Sequence, residues 1–427
     1  MVPSLILTVW IILYGIHQGW EAFLTYLNLR FNARHKEVPE EISNKIDNKT
    51  LITSQKYLKQ QSNLSLLNGF IQSIITLTVI STGFLGIVET FIYNFLLSIK
   101  ISSPSFFSVV FVLALLTASN VISIPFTIYK QFIIEKRFGF NKTTPKIFIF
   151  DLIKSYLITL ILGIPLLSGI FWLITSQNQF WWLYCFIVIT LFQLILTFLY
   201  QPLIAPLFNK FKELTDETLH HRLFSLSKKL KFNIGSILIM DGSQRSTHTN
   251  AYFTGFGKAK RIVLFDTLLN LLEEDQLEAV LAHEIGHQKR YHVIKRIILN
   301  LILTFLGFWL MSFLFQQPEL FLAFGFNDVG FGVATPHSLI ITLSLVAGPT
   351  LFILNPLFTG WSRRHEYEAD QFAVSATNNS KAMEDALLKL SIDNLSNIYP
   401  HPWYSAYHYS HPTLLERIRA IRQYANI

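Results

Sequence analysis

The chain has 427 residues, 51% of them hydrophobic and 15% aromatic, with 38 phenylalanines, which is too apolar for a soluble domain of this size and places it among membrane proteins. The lone cysteine, Cys185, excludes an intramolecular disulfide and sits in an apolar run, where it serves packing. The formal charge of +8 does not point to nucleic acid, because the basic residues fall in loops between apolar runs and not in one patch interleaved with aromatics.

Residues 2–26 lack a basic leader and stay apolar well past signal-peptide length, so they read as a retained first span. Six more stretches are long enough to cross a bilayer at about 20 residues each: 66–97, 106–134, 147–174, 180–204, 293–315 and 338–358. Pro125, Pro165, Gly348-Pro349 and Asn355-Pro356 imply kinks whose freed backbone groups are satisfied by neighbouring helices or a wet cavity. After the first span come Arg30, Arg34, Lys36, Lys45, Lys49, Lys56 and Lys59. Between the third and fourth come Lys130, Lys136, Arg137, Lys142, Lys146 and Lys154, so both connections are expected on the cytoplasmic side. The alternate connections hold Lys100 alone, or no basic residue at all in 176–179 and 316–337. This pattern puts the N-terminus outside, the C-terminus inside, and a polar insertion at 208–292 in the cytoplasm. The expected organisation is thus 1–207 with spans one to five, 208–292 as the insertion, 293–358 with spans six and seven, and 359–427 as a C-terminal segment. No internal repeat is evident.

Within the insertion, helical periodicity over 219–230 gives way to short β-rich runs at 234–240, 249–253 and 261–265, which read as a small sheet. Acidic residues at Glu273, Glu274 and Asp275, followed by apolar Leu277, Val280 and Leu281, then mark the start of a helix. That helix carries His283-Glu284-Ile285-Gly286-His287. Histidines four apart lie on one helical face, one turn above the other, so both imidazoles can reach a single zinc ion, and Glu284 is placed to take a proton from its water without being a ligand. Such a motif arises by chance in roughly one or two chains of this composition in a hundred, fewer still with a helical start before it and a third ligand after it. The motif helix leads straight into the sixth span, which places the metal near the membrane surface.

A catalytic zinc needs a third protein ligand and an open position. The best candidate is Glu366 in the charged run 362–370, with His365 the lesser option. Glu366 and Asp370 are four apart and share a helical face, so one can bind metal while the other accepts a hydrogen bond from a ligand imidazole, whereas Glu368 points elsewhere and is expected to be solvated. The bland alternative is a charged helix end at the membrane surface. Farther on, His411 or Arg417 could stabilise an oxyanion, or His411-Pro412 could simply open a last amphipathic helix. Chemistry alone leaves that choice even.

These residues resemble the type I CAAX prenyl endopeptidases, integral membrane zinc metallopeptidases of gluzincin type. The resemblance covers most of the chain. It rests on Glu135-Lys136-Arg137-Phe138-Gly139-Phe140-Asn141, Ile204-Ala205-Pro206-Leu207-Phe208-Asn209-Lys210-Phe211, Asn250-Ala251-Tyr252-Phe253, 260–269, the H-E-x-x-H motif, 362–370 and 408–417. It implies one zinc per chain on His283, His287 and Glu366, Glu284 as base, and His411 and Arg417 around the reaction centre. It also implies an edge strand at Asn250, Ala251, Tyr252 and Phe253 that pairs with an extended substrate. The implied fold is mainly α: seven kinked transmembrane helices in a barrel around a water-filled chamber, with a small α+β metalloprotease domain and its zinc at the cytoplasmic end.

The expected activity is hydrolysis near the C-terminus of CAAX-type proteins, prenylated or not, by a monomer in contact with membrane lipid and without nucleic acid. The expected location is the endoplasmic reticulum membrane of a eukaryote or the inner membrane of a bacterium. The tail 423–427 lacks a dilysine retrieval signal, and the Lys-, Asn- and Ile-rich composition would suit a bacterium. The competing functions are quality control of membrane proteins with no prenyl requirement, a transporter, and an inactive scaffold. A transporter is disfavoured because nothing polar recurs at symmetric mid-membrane positions, and a scaffold because base, ligand set and oxyanion candidates are all present.

Overall fold

The structure is a computed structural model in which residues 3–176, 178–255 and 260–424 are described. Residues 1–2, Gln177, residues 256–259 and the last three residues of the tail lie outside them. The chain opens with six long or medium helices: α1 (Pro3–Arg34), α2 (Asn48–Ser81), α3 (Phe84–Ser98), α4 (Pro104–Tyr129), α5 (Pro145–Thr175) and α6 (Trp181–Leu199). Single π-helical turns, Lys130–Glu135 and Tyr200–Ile204, extend α4 and α6. Among the described residues six segments are long and apolar enough to cross a membrane: Asn48–Ser81, Pro104–Glu135, Pro145–Thr175, Trp181–Leu207, His292–Leu314 and Pro336–Thr377. The first expected span, α1, stands outside that set. It nevertheless shows an outward stripe of Leu5, Val9, Ile12 and Ile16, each between 47% and 56% exposed, of the kind that faces lipid.

Several spans start at caps that hydropathy does not register. Ser103, Thr144 and Thr335 each precede a proline, and each side chain accepts the backbone N–H three residues on, which satisfies a donor the helix leaves free. The apolar stretch 66–97, expected as one span, is two helices. Asp47 caps α2 nineteen residues before the apolar run begins at residue 66, and Gly83, in the left-handed region at φ 65°, separates α2 from α3. Hydropathy marks the part of a helix that contacts lipid, whereas backbone hydrogen bonding carries the helix on into water. α3 is fixed from within. Glu89, fully buried, bonds His337 at 2.8 Å and accepts the Asn327 N–H at 2.9 Å, and Ser108 Oγ lies 3.0 Å from the other His337 nitrogen.

The insertion contains β1 (Phe211–Glu213), α7 (Glu217–Lys229), β2 (Ser236–Met240), β3 (Ala251–Thr254), β4 (Arg261–Phe265), α8 (Asp266–Leu271) and α9 (Glu274–Lys289). The sheet order is β1-β2-β4-β3, with β2 and β4 parallel and both outer pairs antiparallel. β1 is an addition to the expected strands, because Phe-Lys-Glu is too short and too polar to show a pattern. Among the described residues β3 pairs only with β4 and forms an edge of the sheet. Leu219, Leu223 and Leu226 of α7 and Leu277, Leu281 and Ile285 of α9 pack over Ile237, Ile262 and Leu264 of the sheet in one core.

The chain returns to the bundle with α10 (His292–Leu314), α11 (Pro318–Ala323) and α12 (Pro336–Leu351), and continues as α13 (Asn355–Thr377), α14 (Ser380–Asp393), α15 (Pro402–His408) and α16 (Leu414–Tyr424). Between α12 and α13 there is only one 3-10 turn, Phe352–Leu354. The seventh span therefore does not end at residue 358 but runs directly into the helix that carries Glu366. Pro356 sits in the first turn of α13, where its missing N–H interrupts no helical bond.

Candidate active site

α9 is fixed at its start by charge and along its length by burial. Arg222 of α7 donates to Glu274 at 2.9 Å and to Asp275 and Glu278, and Gln276 Oε1 accepts the Glu273 N–H at 3.1 Å. With Leu277, Leu281 and Ile285 committed to the core, the face carrying His283 and His287 turns toward α13. Gly286 permits the close approach: a Cβ there would stand 3.2 Å from Ala369 Cα and 3.2 Å from Phe372 Cβ. This contact brings Glu366 over the two histidines.

His283 Nε2 and His287 Nε2 are 3.2 Å apart, and the Glu366 carboxylate oxygens lie 3.5 Å from the first and 3.4 Å from the second. Ligands about 2.0–2.2 Å from a tetrahedral ion stand about 3.3–3.6 Å from one another, so the three side chains have the span of a zinc site with its fourth position open. They form the one group of three metal-binding side chains found among the described residues. Glu366 Oε2 is buried without a hydrogen bond, a donor atom left for a cation. The protonation pattern points the same way. For His283, burial works against a proton, but the neighbouring Asp370 and Glu366 carboxylates outweigh it and raise its pKa to about 9. For His287, burial and the neighbouring His283 lower it to about 3. His287 is thus held neutral, with a nitrogen lone pair free for a metal. Burial also pushes the Glu284 carboxyl up, against the pull of His283, which suits a group that must accept a proton.

Each imidazole of the cluster is held from behind. His283 Nδ1 lies 2.8 Å from Asp370, which is fully buried and is gripped by Arg417 through Nε at 2.8 Å and Nη2 at 2.6 Å. His287 Nδ1 lies 3.0 Å from His292 Nδ1, and His292 Nε2 lies 3.1 Å from Glu368. Glu368, expected to be solvated, is therefore the far end of a relay behind His287, because His292 at the start of α10 turns back toward it. His365 lies outside the group of His283, His287 and Glu366, and its ring stacks on His292 with centroids 4.0 Å apart. The sequence signal for the relay was a third histidine five residues after His287, and its position depends on Tyr291, whose left-handed φ of 58° bends α9 into α10.

His411 is brought to the cluster, with Nε2 3.5 Å from Glu366 Oε1 and a side chain that is 62% exposed. Arg417 is placed differently: Nε and Nη2 are both spent on Asp370. Beside them a cavity of about 510 Å³ is lined by Leu387, Leu390, Asn394, His411, Pro412 and Arg417. Of the edge-strand residues, Asn250 accepts the Phe265 N–H at 3.1 Å, Ala251, Tyr252 and Phe253 pair with Leu264, Val263 and Ile262, and Tyr252 donates to Gln201 at 3.3 Å.

Residues 28–210 match the family described as CAAX prenyl protease N-terminal, five membrane helices, and residues 213–425 match peptidase family M48. Over 94% of its length the chain is 32% identical to the human CAAX prenyl protease 1 homolog, covering 92% of that protein. The chain belongs to the CAAX prenyl protease branch of peptidase family M48. Within that family, the Arabidopsis thaliana CAAX prenyl protease 1 homolog is 40% identical over 73% of this chain and 72% of its own. The crystal structure of S. mikatae Ste24p superposes with a TM-score of 0.89 at 31% identity, covering 99% of each chain. The family and the mainly α membrane fold expected from sequence both stand. As a member of peptidase family M48 with, among its described residues, six segments long and apolar enough to cross a membrane, this chain is a multi-pass membrane metalloendopeptidase that acts on a peptide or protein.

Proposed function

We propose that this enzyme is a one-zinc endopeptidase that removes the last three residues from proteins ending in a CAAX sequence with a prenylated cysteine. The observation that carries the reading is the tetrahedral span of His283, His287 and Glu366 with Glu284 adjoining, in a chain whose relatives are named CAAX prenyl proteases. A zinc ion there would supply a Lewis acid and a water acidified toward neutral pH. The Glu284 carboxylate takes the proton of the attacking water and returns it to the leaving amine. His411, exposed beside Glu366, donates to the oxyanion that develops on the scissile carbonyl. Arg417 acts through Asp370, fixing His283 in the orientation and tautomer that ligation needs. The free edge of β3 takes the substrate as an added strand, reading backbone before side chains.

Two peptides ending in a CAAX sequence, identical except for a farnesyl group on the cysteine, test the substrate. A strong preference for the farnesylated peptide with release of its last three residues is expected. Equal cleavage of both, or cuts at scattered sites, would instead assign the enzyme to clearance of membrane proteins. The eukaryotic sources of the relatives favour the endoplasmic reticulum membrane, with the site on the cytoplasmic side, as the basic connections indicate. Since Cys185 is buried, single cysteines placed at exposed positions report topology against a low background. Cysteines at Lys45 and Lys142 are expected to label from the cytoplasm and those at Asn178 and Asn327 from the opposite side. Cytoplasmic labelling at Asn178 would reject the assigned orientation.

A further inference from the structure

The run 135–141, one of the strongest points of family resemblance, lies outside the metal site. Its first residue, Glu135, ends the π-helical turn below α4, and such turns recur at functional positions because the extra residue redirects the side chains that follow. The Glu135 carboxylate is nearly buried. It accepts from Tyr57 of α2 at 2.9 and 3.0 Å, from Gln61 at 3.2 Å, and from His248 Nε2 at 3.4 Å.

His248 stands three residues before β3. Its other nitrogen lies 2.7 Å from Asn394 Oδ1 at the end of α14, and Asn394 in turn donates to Thr249 at 3.1 Å. The ring of Phe140 stacks on it with centroids 4.1 Å apart. The backbone alongside is tied as well: Thr247 N–H donates to the Phe140 carbonyl at 3.1 Å and Lys142 N–H to the Arg245 carbonyl at 3.0 Å. The lead-in to β3 is thus held by the membrane bundle on one side and by α14 on the other. β3 itself is four residues long and bonded on one side only. A short strand with a free edge is weakly fixed in register, and a slip of one residue turns every side chain to the opposite face.

We infer that Glu135 and His248 are positioning residues for substrate binding: their clamp sets the place and register of β3, so the membrane bundle determines where the substrate backbone lies relative to the metal. The inference rests on the proposed pairing of β3 with substrate. It also gives a role to the 135–141 run, which the metal chemistry does not use.

The test compares a peptide substrate with the same peptide N-methylated two residues from the scissile bond, which removes a backbone donor needed for strand pairing. In the unmodified enzyme the N-methyl group is expected to raise KM about tenfold, the equivalent of one hydrogen bond. His248→Ala is expected to raise KM for the plain peptide by about tenfold with kcat and zinc content unchanged, and to shrink the N-methyl penalty to about twofold, because a displaced strand no longer makes that bond. His248→Gln, which keeps an amide donor toward Glu135, restores most of the lost affinity. Tyr57→Phe, which takes one donor from Glu135, moves KM in the same direction and serves if His248→Ala does not fold. If the variants keep the full N-methyl penalty, or lose kcat and not KM, the clamp is rejected while strand pairing stands. If N-methylation costs the unmodified enzyme nothing, strand pairing fails and the clamp falls with it.

Discussion

Glu284→Gln leaves the metal in place and lowers kcat by about 10²–10⁴-fold, the usual contribution of a general base, whereas Glu366→Ala loses metal and activity together. The two carboxylates differ in what they face. Glu366 closes a triangle with His283 and His287 at 3.5 and 3.4 Å and has a buried oxygen without a hydrogen bond. Removing it leaves two imidazoles and no anion, which is too few ligands to retain a zinc ion against a chelator. Glu284 is outside that triangle, and its raised proton affinity comes first from burial. The amide that replaces it keeps size and burial but cannot accept the proton of the attacking water. Elemental analysis of both variants, alongside cleavage rates, decides the matter. Loss of metal from Glu284→Gln would make that residue structural, and full metal in Glu366→Ala would place the third ligand elsewhere.

Arg417→Ala is expected to destabilise the protein and weaken metal binding together. Asp370 is wholly buried and its carboxylate is shared between the Arg417 fork and His283. Breaking a buried pair from one side leaves the other charge uncompensated, at a cost of about 3–5 kcal/mol. Lysine is a poor substitute, because one ammonium cannot reproduce two parallel N–H bonds. A freed Asp370 also releases His283, so zinc exchanges faster. If Arg417 acted on the oxyanion alone, Arg417→Ala would lower kcat with melting temperature and zinc content unchanged. Asp370→Asn, measured singly and with Arg417→Ala, should show strong non-additivity, since both changes break one network.

What local sequence could determine here is what local pattern encodes. A four-residue spacing puts His283 and His287 on one face whatever surrounds them, apolar runs of sufficient length mark the lipid-immersed helices, and short apolar runs rich in Ile and Val between turn residues mark β2 and β4. Glu366 and Asp370 were legible in the same way, as two acids on one helical face, with Glu366 the better candidate for the metal and the family resemblance agreeing. Tertiary structure decided the rest, because it depends on which distant faces meet. The α9–α13 contact at Gly286 sets the triangle of His283, His287 and Glu366, the bend at Tyr291 returns His292 to His287 and converts Glu368 from a solvated acid into a partner, and the buried Asp370 takes two N–H bonds from Arg417. The split at Gly83 and the unbroken passage from the seventh span into α13 were hidden for a related reason. Hydropathy reports contact with lipid, and neither a left-handed glycine nor a helix continuing into water changes that contact.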